Sequence, residues 1–451
     1  MKKSFLRKGI ALVATAGMVM GALAGCGSST KETTPAKTET TAASADTESK
    51  PAADSGEEVT IRLVHYMGEQ AKRDALDQII TKFNEENPNI KIDIEIVNSG
   101  QYIATYKNYI AAGDAPDIMF GKPQNMKEFV DGGYFMDLKD EECLKNVLPL
   151  LVKECTINDG VYGFPIDAQV KGTFYNKDMF KELGVEAPTT KDEFFKVCDA
   201  FMEKGTYPIV QPYNFIHGPF HQLDSYFTSM AVAKGIQNVW MDSQNGEGTL
   251  SDKPEMAEAF EIFTKISQYK DPGDTAVDQA QGIQNFAAGQ RPMYINGGWL
   301  IGDAMAANPD GDFGMFPTPW SNNADENKLW IGIDDCFVVS SQTEHKDAVM
   351  TFLNFIAGDE ASEIWMDTAK LMSSNVNVST DNAAGLIQDI KSYIDQDKIA
   401  AKADVPDYTS EYSTTFRTIL QEYVALNANQ QDVTKLLKDI DDAIAAINAS
   451  K

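Results

Sequence analysis

Ile90-Lys91-Ile92-Asp93-Ile94-Glu95-Ile96 alternates apolar and charged residues without a break, the two-residue period of a strand with one buried face. Just before it, Asn87-Pro88-Asn89 punctuates the chain. Upstream of that break, Leu76, Ile79, Ile80 and Phe83 recur at spacings of three and four, the stripe of an amphipathic helix, and further back stands the β-rich run Val59-Thr60-Ile61-Arg62-Leu63-Val64. Downstream, a helical segment from about Gln101 closes at Gly113, and Ala115-Pro116 leads into the short apolar run Asp117-Ile118-Met119-Phe120. Strand, helix, strand, helix, strand implies parallel pairing through right-handed crossovers, hence a doubly wound α/β lobe. Ligands of such lobes gather beyond the carboxyl ends of the strands. Those ends read His65-Tyr66-Met67-Gly68-Glu69-Gln70, Asn98-Ser99-Gly100-Gln101 and Phe120-Gly121-Lys122, so Tyr66, Glu69, Gly121 and Lys122 are candidate ligand contacts.

The chain of 451 residues carries 39 Lys+Arg and 67 Asp+Glu, a formal net charge of −28. Such a balance argues against a nucleic-acid partner, which asks for a basic face. With 43% hydrophobic and 10% aromatic residues there is material for packed cores, so the whole chain is not disordered. At the N-terminus, Lys2, Lys3, Arg7 and Lys8 precede an uncharged stretch of 16 residues, 9–24, and Gly25 stands directly before Cys26. This is the pattern of an export signal and is short for a membrane span. Leu23-Ala24-Gly25-Cys26 resembles a bacterial lipobox, which implies that residues 1–25 are removed and that Cys26 is lipidated. Residues 27–58 are mostly Ser, Thr, Ala, Lys, Glu and Pro with no aromatic residue, a tether that buries too little apolar area to fold. The body is therefore expected outside the cytoplasm, anchored to the outer face of the cell membrane. Cys143, Cys155, Cys198 and Cys336 are too sparse for a disulfide framework or a zinc site and read as buried free thiols.

Past residue 160 the chain runs through Val161-Tyr162-Gly163-Phe164-Pro165-Ile166-Asp167-Ala168-Gln169 and Phe174-Tyr175-Asn176-Lys177-Asp178 to Ala187-Pro188-Thr189-Thr190. Thr190 with Glu193 forms a capping box, and Phe194, Val197 and Phe201 give the helix behind it a buried stripe. Together with Phe83-Asn84-Glu85-Glu86-Asn87-Pro88-Asn89-Ile90, Ala111-Ala112-Gly113-Asp114-Ala115-Pro116-Asp117-Ile118 and Gly289-Gln290-Arg291-Pro292-Met293-Tyr294-Ile295-Asn296-Gly297-Gly298-Trp299, these segments are in the order of a known family. The sequence resembles the extracellular solute-binding proteins of carbohydrate ABC importers, to which maltose-binding protein belongs.

The resemblance implies a two-lobed clamshell, each lobe a doubly wound sheet flanked by helices, with three chain crossings. On that reading the first lobe takes 59–168 and 333–370 and the second 169–332 and 371–451, crossing near 167–169, 331–334 and 371–374. It implies a sugar ligand, mono- or oligosaccharide, delivered to the permease of an ABC importer by a monomer that needs no cofactor or metal. Polar side chains take a pyranose's hydroxyls while an aromatic ring packs on its C–H face. Trp299, after Asn296-Gly297-Gly298, is the aromatic candidate, with Trp330 second, while Asp167, Gln169 and Asp334 on the crossings are the polar ones. Gln169 resembles in position a sugar-contacting acid of the family but is neutral, so a maltose preference does not carry over.

Other chemistries find little support. His217 and His221 have metal-like spacing, but Gly218-Pro219 between them is expected to break a helix, leaving a loop over the cleft. Phosphate-loop, dinucleotide and nucleophile-elbow motifs are absent. Arg73 and Arg291 are the arginines close to expected cleft segments, which favours a neutral sugar. The alternatives are a secreted carbohydrate-active enzyme, with paired carboxylates across the cleft, or a surface adhesin.

Overall fold

The computed structural model describes residues 58–451; the leader, Cys26 and all but the last residue of the tether lie outside them. Two sheets dominate. The first is ordered β2–β1–β3–β11–β6, from β1 (Val59–His65), β2 (Ile90–Ile96), β3 (Ile118–Phe120), β6 (Phe164–Pro165) and β11 (Cys336–Val339). A separate hairpin, β4 (Thr156–Ile157) with β5 (Gly160–Val161), precedes β6. Strands β1, β2 and β3 are parallel, with the helices Gln70–Glu86 and Tyr102–Ala112 as the crossovers. Period-two alternation sends Ile61 and Leu63 of β1 to one core and Val64 to another, where Tyr106 and Met119 meet it. Both faces of the sheet are thereby covered, which is why β3 is apolar throughout and the centre of β1 is apolar apart from Arg62, which pairs with Glu95 and Asp114. Strand β2 is the edge, and its alternation leaves Ile96 at 59% exposure. Strand β11 returns from far along the chain to pair antiparallel with β3 and β6.

The second sheet is built on β7 (Asp167–Asn176). Its partners are β8 (Met293–Gly297), β9 (Phe313–Phe316), β10 (Leu329–Gly332) and β12 (Met372–Ser373), all antiparallel to it, while β13 (Ile399–Ala401) lies parallel beside β10. This lobe departs from the parallel, doubly wound pattern expected of each lobe. The reason lies in the long-range pairing: β7 runs away from the crossing region that it leaves at Asp167, whereas β8 and β10 run back toward it. The two-lobed α/β architecture is otherwise as expected. The C-terminal helices Ser410–Ala425 and Val433–Ala449 give Phe416, Leu420, Leu436, Leu437, Ile440 and Ile444 to an aromatic-rich second core with Phe194, Phe260 and Trp320. The four cysteines among the described residues are free and buried, with Cys155 Sγ 3.7 Å from Cys336 Sγ. No helix among the described residues is long and apolar enough to cross a membrane.

Candidate functional site: a cleft lined by strand ends and crossing residues

A cavity of about 270 Å³ opens beyond the carboxyl ends of β1, β2 and β3, lined by Tyr66, Gly68, Glu69, Ser99, Phe120 and Lys122 with Asp334 from the second crossing. Each of the three strand exits supplies part of it, as a parallel sheet requires. Its aromatic floor is Tyr66, whose ring centroid lies 4.3 Å from Tyr102 and 4.7 Å from Phe120. The loop over that floor is pinned by His65, whose Nδ1 accepts the Met67 N–H at 3.2 Å. Burial and the Arg73 charge push the His65 imidazole down to about 4, so at neutral pH it is uncharged and can accept. Gly121 is not on the lining: its φ of 152° is a conformation that L side chains rarely adopt, so the backbone explains the glycine. Lys122 donates from Nζ to the Ile333 carbonyl, tying this rim to the second crossing.

Beneath the cavity lies a buried charge cluster. Lys72, in the first turn of the helix Gln70–Glu86, is 3% exposed and places Nζ 2.5 Å from Asp334 and 3.0 Å from Asp335. Asp167 is 0% exposed and accepts at Oδ1 the backbone N–H of both Asp334 (3.2 Å) and Asp335 (3.1 Å). It therefore faces inward as a brace between the start of β7 and the second crossing. The three carboxylates come within 4.8 Å of one another, a spacing that suits a metal ion, but the Lys72 ammonium already takes the cationic position. One ammonium cannot neutralise three clustered carboxylates, two of them buried. Burial pushes the Asp335 carboxyl well up and that of Asp167 to about 6, whereas for Asp334 the charges of Lys72 and Lys122 outweigh burial and hold it low.

A pH dependence follows. Asp167 and Asp335 keep a proton in the folded chain that the unfolded chain has released above an ordinary pKa of about 3.9, so their contribution to stability falls as pH rises above that value, for Asp167 through about 6. Asp334 and the depressed histidines act in the opposite sense, losing stability as pH falls. Denaturant midpoints across pH 4–8 should therefore fall less steeply with rising pH in Asp335→Asn than in the wild type. Equal slopes would contradict a shared proton in this cluster.

A second group of aromatic and charged side chains comes from the second sheet. Register puts Trp330, Lys171 and Gly297 side by side across β10, β7 and β8. Lys171 Nζ pairs with Asp224 and lies 4.5 Å from the Trp330 ring centroid, 5.5 Å from Phe220 and 6.0 Å from Trp299. Trp330 is 2% exposed and backs this row rather than reaching open space. Trp299, half-buried, folds over residue 297, where a Cβ would be 1.7 Å from its ring; only glycine permits that turn. Its segment is drawn up to the first lobe, because a Cβ at Gly302 would meet Ala71 at 3.3 Å and the Asp303 carboxyl, pushed up first by burial, also feels Glu69. Gln169 is buried on the same β7 face as Asp167 and Lys171, two residues from each. Trp320 is core, its Nε1 donating to the Glu326 carbonyl at 3.0 Å.

One expectation is corrected. Gly218-Pro219 does not break a helix between the histidines but opens the helix Gly218–Lys234, with His217 as its N-cap residue. Proline in a first turn sacrifices no hydrogen bond, so His221 is helical. Its ring lies 5.9 Å from His217 and 4.8 Å from Trp299. Both imidazoles are depressed by burial and by Lys171 and Arg417, His217 to about 4. Arg291 turns away from the cleft to Asp271 and Asp274, and Arg73 donates to the Met67 and Gly68 carbonyls. Sequence reasoning missed Lys72, Lys171 and Arg417. A signal existed for the first, since Lys72 falls on the apolar stripe of Leu76, Ile79 and Phe83, where a charge must find a buried partner.

The signature of bacterial extracellular solute-binding proteins matches residues 68–363, which include the second and third strand exits, the first two crossings and the turn of Trp299. The chain belongs to that family. This solute-binding protein is 27% identical over 315 residues to the multiple sugar-binding protein of Streptococcus mutans, covering 67% of this chain and 73% of the relative. It is 24% identical over 343 residues to the melibiose/raffinose/stachyose-binding protein MelE of Bacillus subtilis, covering 74% and 79% of the two chains. Among solved structures, apo RafE from Streptococcus pneumoniae superposes with a TM-score of 0.70 at 22% identity, covering 86% of this chain and 98% of RafE.

Proposed function

We propose that this solute-binding protein captures a sugar, mono- or oligosaccharide, by closing its lobes on it and hands it to the permease of an ABC importer. The observation that carries the reading is the convergence of three strand exits and the second crossing on one cavity, with an aromatic wall from the second lobe. Both relatives named above are sugar-binding proteins. Trp299 packs on a sugar face, Glu69 and Asp334 accept hydroxyl protons, Lys122 donates, and Tyr66 floors the site. Asp167, Gln169 and Trp330 support these groups from behind, and Gly121 acts through the shape of its loop.

The lobes divide at 59–168 with 333–370 and at 169–332 with 371–451. Pairing of β12 with the start of β7, at Met372↔Ala168, brings the first and third crossings together and supports that division. Three adjacent crossings suit a hinge. The protein binds and does not cleave its sugar: of the cavity's carboxylates, Asp334 and Asp335 are engaged by the Lys72 ammonium, and the relatives named above are binding proteins. A thermal-shift screen over a sugar panel, with product analysis of the same mixtures, tests this; a raised melting temperature with no cleavage is expected, and hydrolysis would overturn it.

Cys26 carries the lipid that anchors a monomer at the outer face of the membrane. Cys26→Ser should release the protein from the membrane fraction with sugar binding unchanged. Retention of that variant would contradict the anchor.

A further inference from the structure

Arg417, on the helix Ser410–Ala425, differs from the other cations of the second-lobe wall. Lys171 holds Asp224 and Lys402 holds Asp407 at 2.7 Å, but Arg417 has neither an ion pair nor a hydrogen bond among the described residues. Its Nε is buried with no acceptor, and its guanidinium lies 4.8 Å from the Phe220 ring, the same ring that Lys171 approaches at 5.5 Å. The carboxylates that it feels, Asp407 and Asp224, already each carry a lysine in contact. Its charge helps to depress His217 and His221, both uncharged at neutral pH, and the His221 ring lies 4.8 Å from that of Trp299. A half-buried guanidinium with unspent donors, linked to Trp299 through the rings of Phe220 and His221, whose centroids are 6.1 Å apart, is a site for a carboxylate, which a guanidinium fork takes in bidentate fashion.

We propose that the ligand is an acidic sugar, an oligosaccharide bearing a uronate, whose carboxylate is received by Arg417 while a neighbouring ring packs on Trp299. This rests on the sugar-binding reading above and sharpens it. Aromatic packing is blind to charge, so Trp299 accepts any pyranose face. Arg417 then separates a uronate from the otherwise identical sugar with CH₂OH, because the neutral sugar leaves the guanidinium donors without an acceptor.

The test compares matched pairs by calorimetric titration: aldobiouronic and aldotetraouronic acids against xylobiose and xylotetraose, and di- and trigalacturonate against the galactose oligomers, with glucose 6-phosphate included. The wild type should bind its best acidic ligand at least tenfold more tightly than the neutral partner, more weakly as salt is raised. Arg417→Gln should lose at least tenfold toward the acid and stay within threefold toward the neutral sugar, while Arg417→Lys keeps part of the preference. Denaturant midpoints of both variants check that Phe220 still packs. Equal affinity within a pair, preference for the neutral sugar or the phosphate, or equal losses in Arg417→Gln would overturn the proposal and leave sugar capture standing. Failure of every sugar to bind would overturn both.

Discussion

Lys72→Met should destabilise the protein by about 3–5 kcal/mol at neutral pH, the cost of removing one partner from a buried ion pair. Lys72 lies 2.5 Å from Asp334 and 3.0 Å from Asp335, and its removal leaves those carboxylates and Asp167 with no cation in contact. Methionine preserves most of the volume, so the loss reads charge rather than packing. Two further measurements separate this account from general misfolding. The deficit should shrink as pH falls and Asp334 takes up a proton, and Lys72→Met combined with Asp334→Asn and Asp335→Asn should recover much of the stability, since a neutral replacement of a buried charge cluster is well tolerated. A deficit that is the same at pH 5 and pH 8 would place the effect elsewhere.

Trp299→Ala should cost about 2 kcal/mol or more in sugar affinity, more than a tenfold weakening, if the indole is the central desolvated contact. The half-buried position of the side chain predicts a smaller stability loss than the roughly 3–5 kcal/mol of a fully buried tryptophan. The two readings separate on one variant through ligand titration and denaturant midpoint. Intrinsic fluorescence adds a control, because the sugar-induced change should largely vanish with Trp299. Affinity kept within a factor of two while stability collapses would show that Trp299 serves packing.

The fold was legible where periodicity is strong. The alternation of Ile90 to Ile94 and the stripe Leu76–Phe83 are local signals, and the structure places a strand and a helix there. The strand exits were legible through topology alone: parallel β1, β2 and β3 oblige their ends to meet, and residues of all three exits line one cavity. What stayed hidden depends on partners far along the chain. Lys72 meets Asp334 across 262 residues, and no local pattern announces that pair. Strand directions in the second sheet were missed because β7 takes its partners from segments beyond residue 290, and direction is set by tertiary pairing. The helix at Gly218 was missed through too strict a reading of proline, which interrupts a helix interior but suits its first turn. Arg417 was hidden by its place on a helix whose apolar stripe reads as core.

Small-angle scattering with and without a sugar found in the thermal-shift screen tests lobe closure most directly. A smaller radius of gyration at saturating ligand is expected, because closure brings the wall of Trp299 and His221 onto the cavity of Tyr66, Glu69 and Lys122. An unchanged radius, with the sugar demonstrably bound, would contradict the clamshell account.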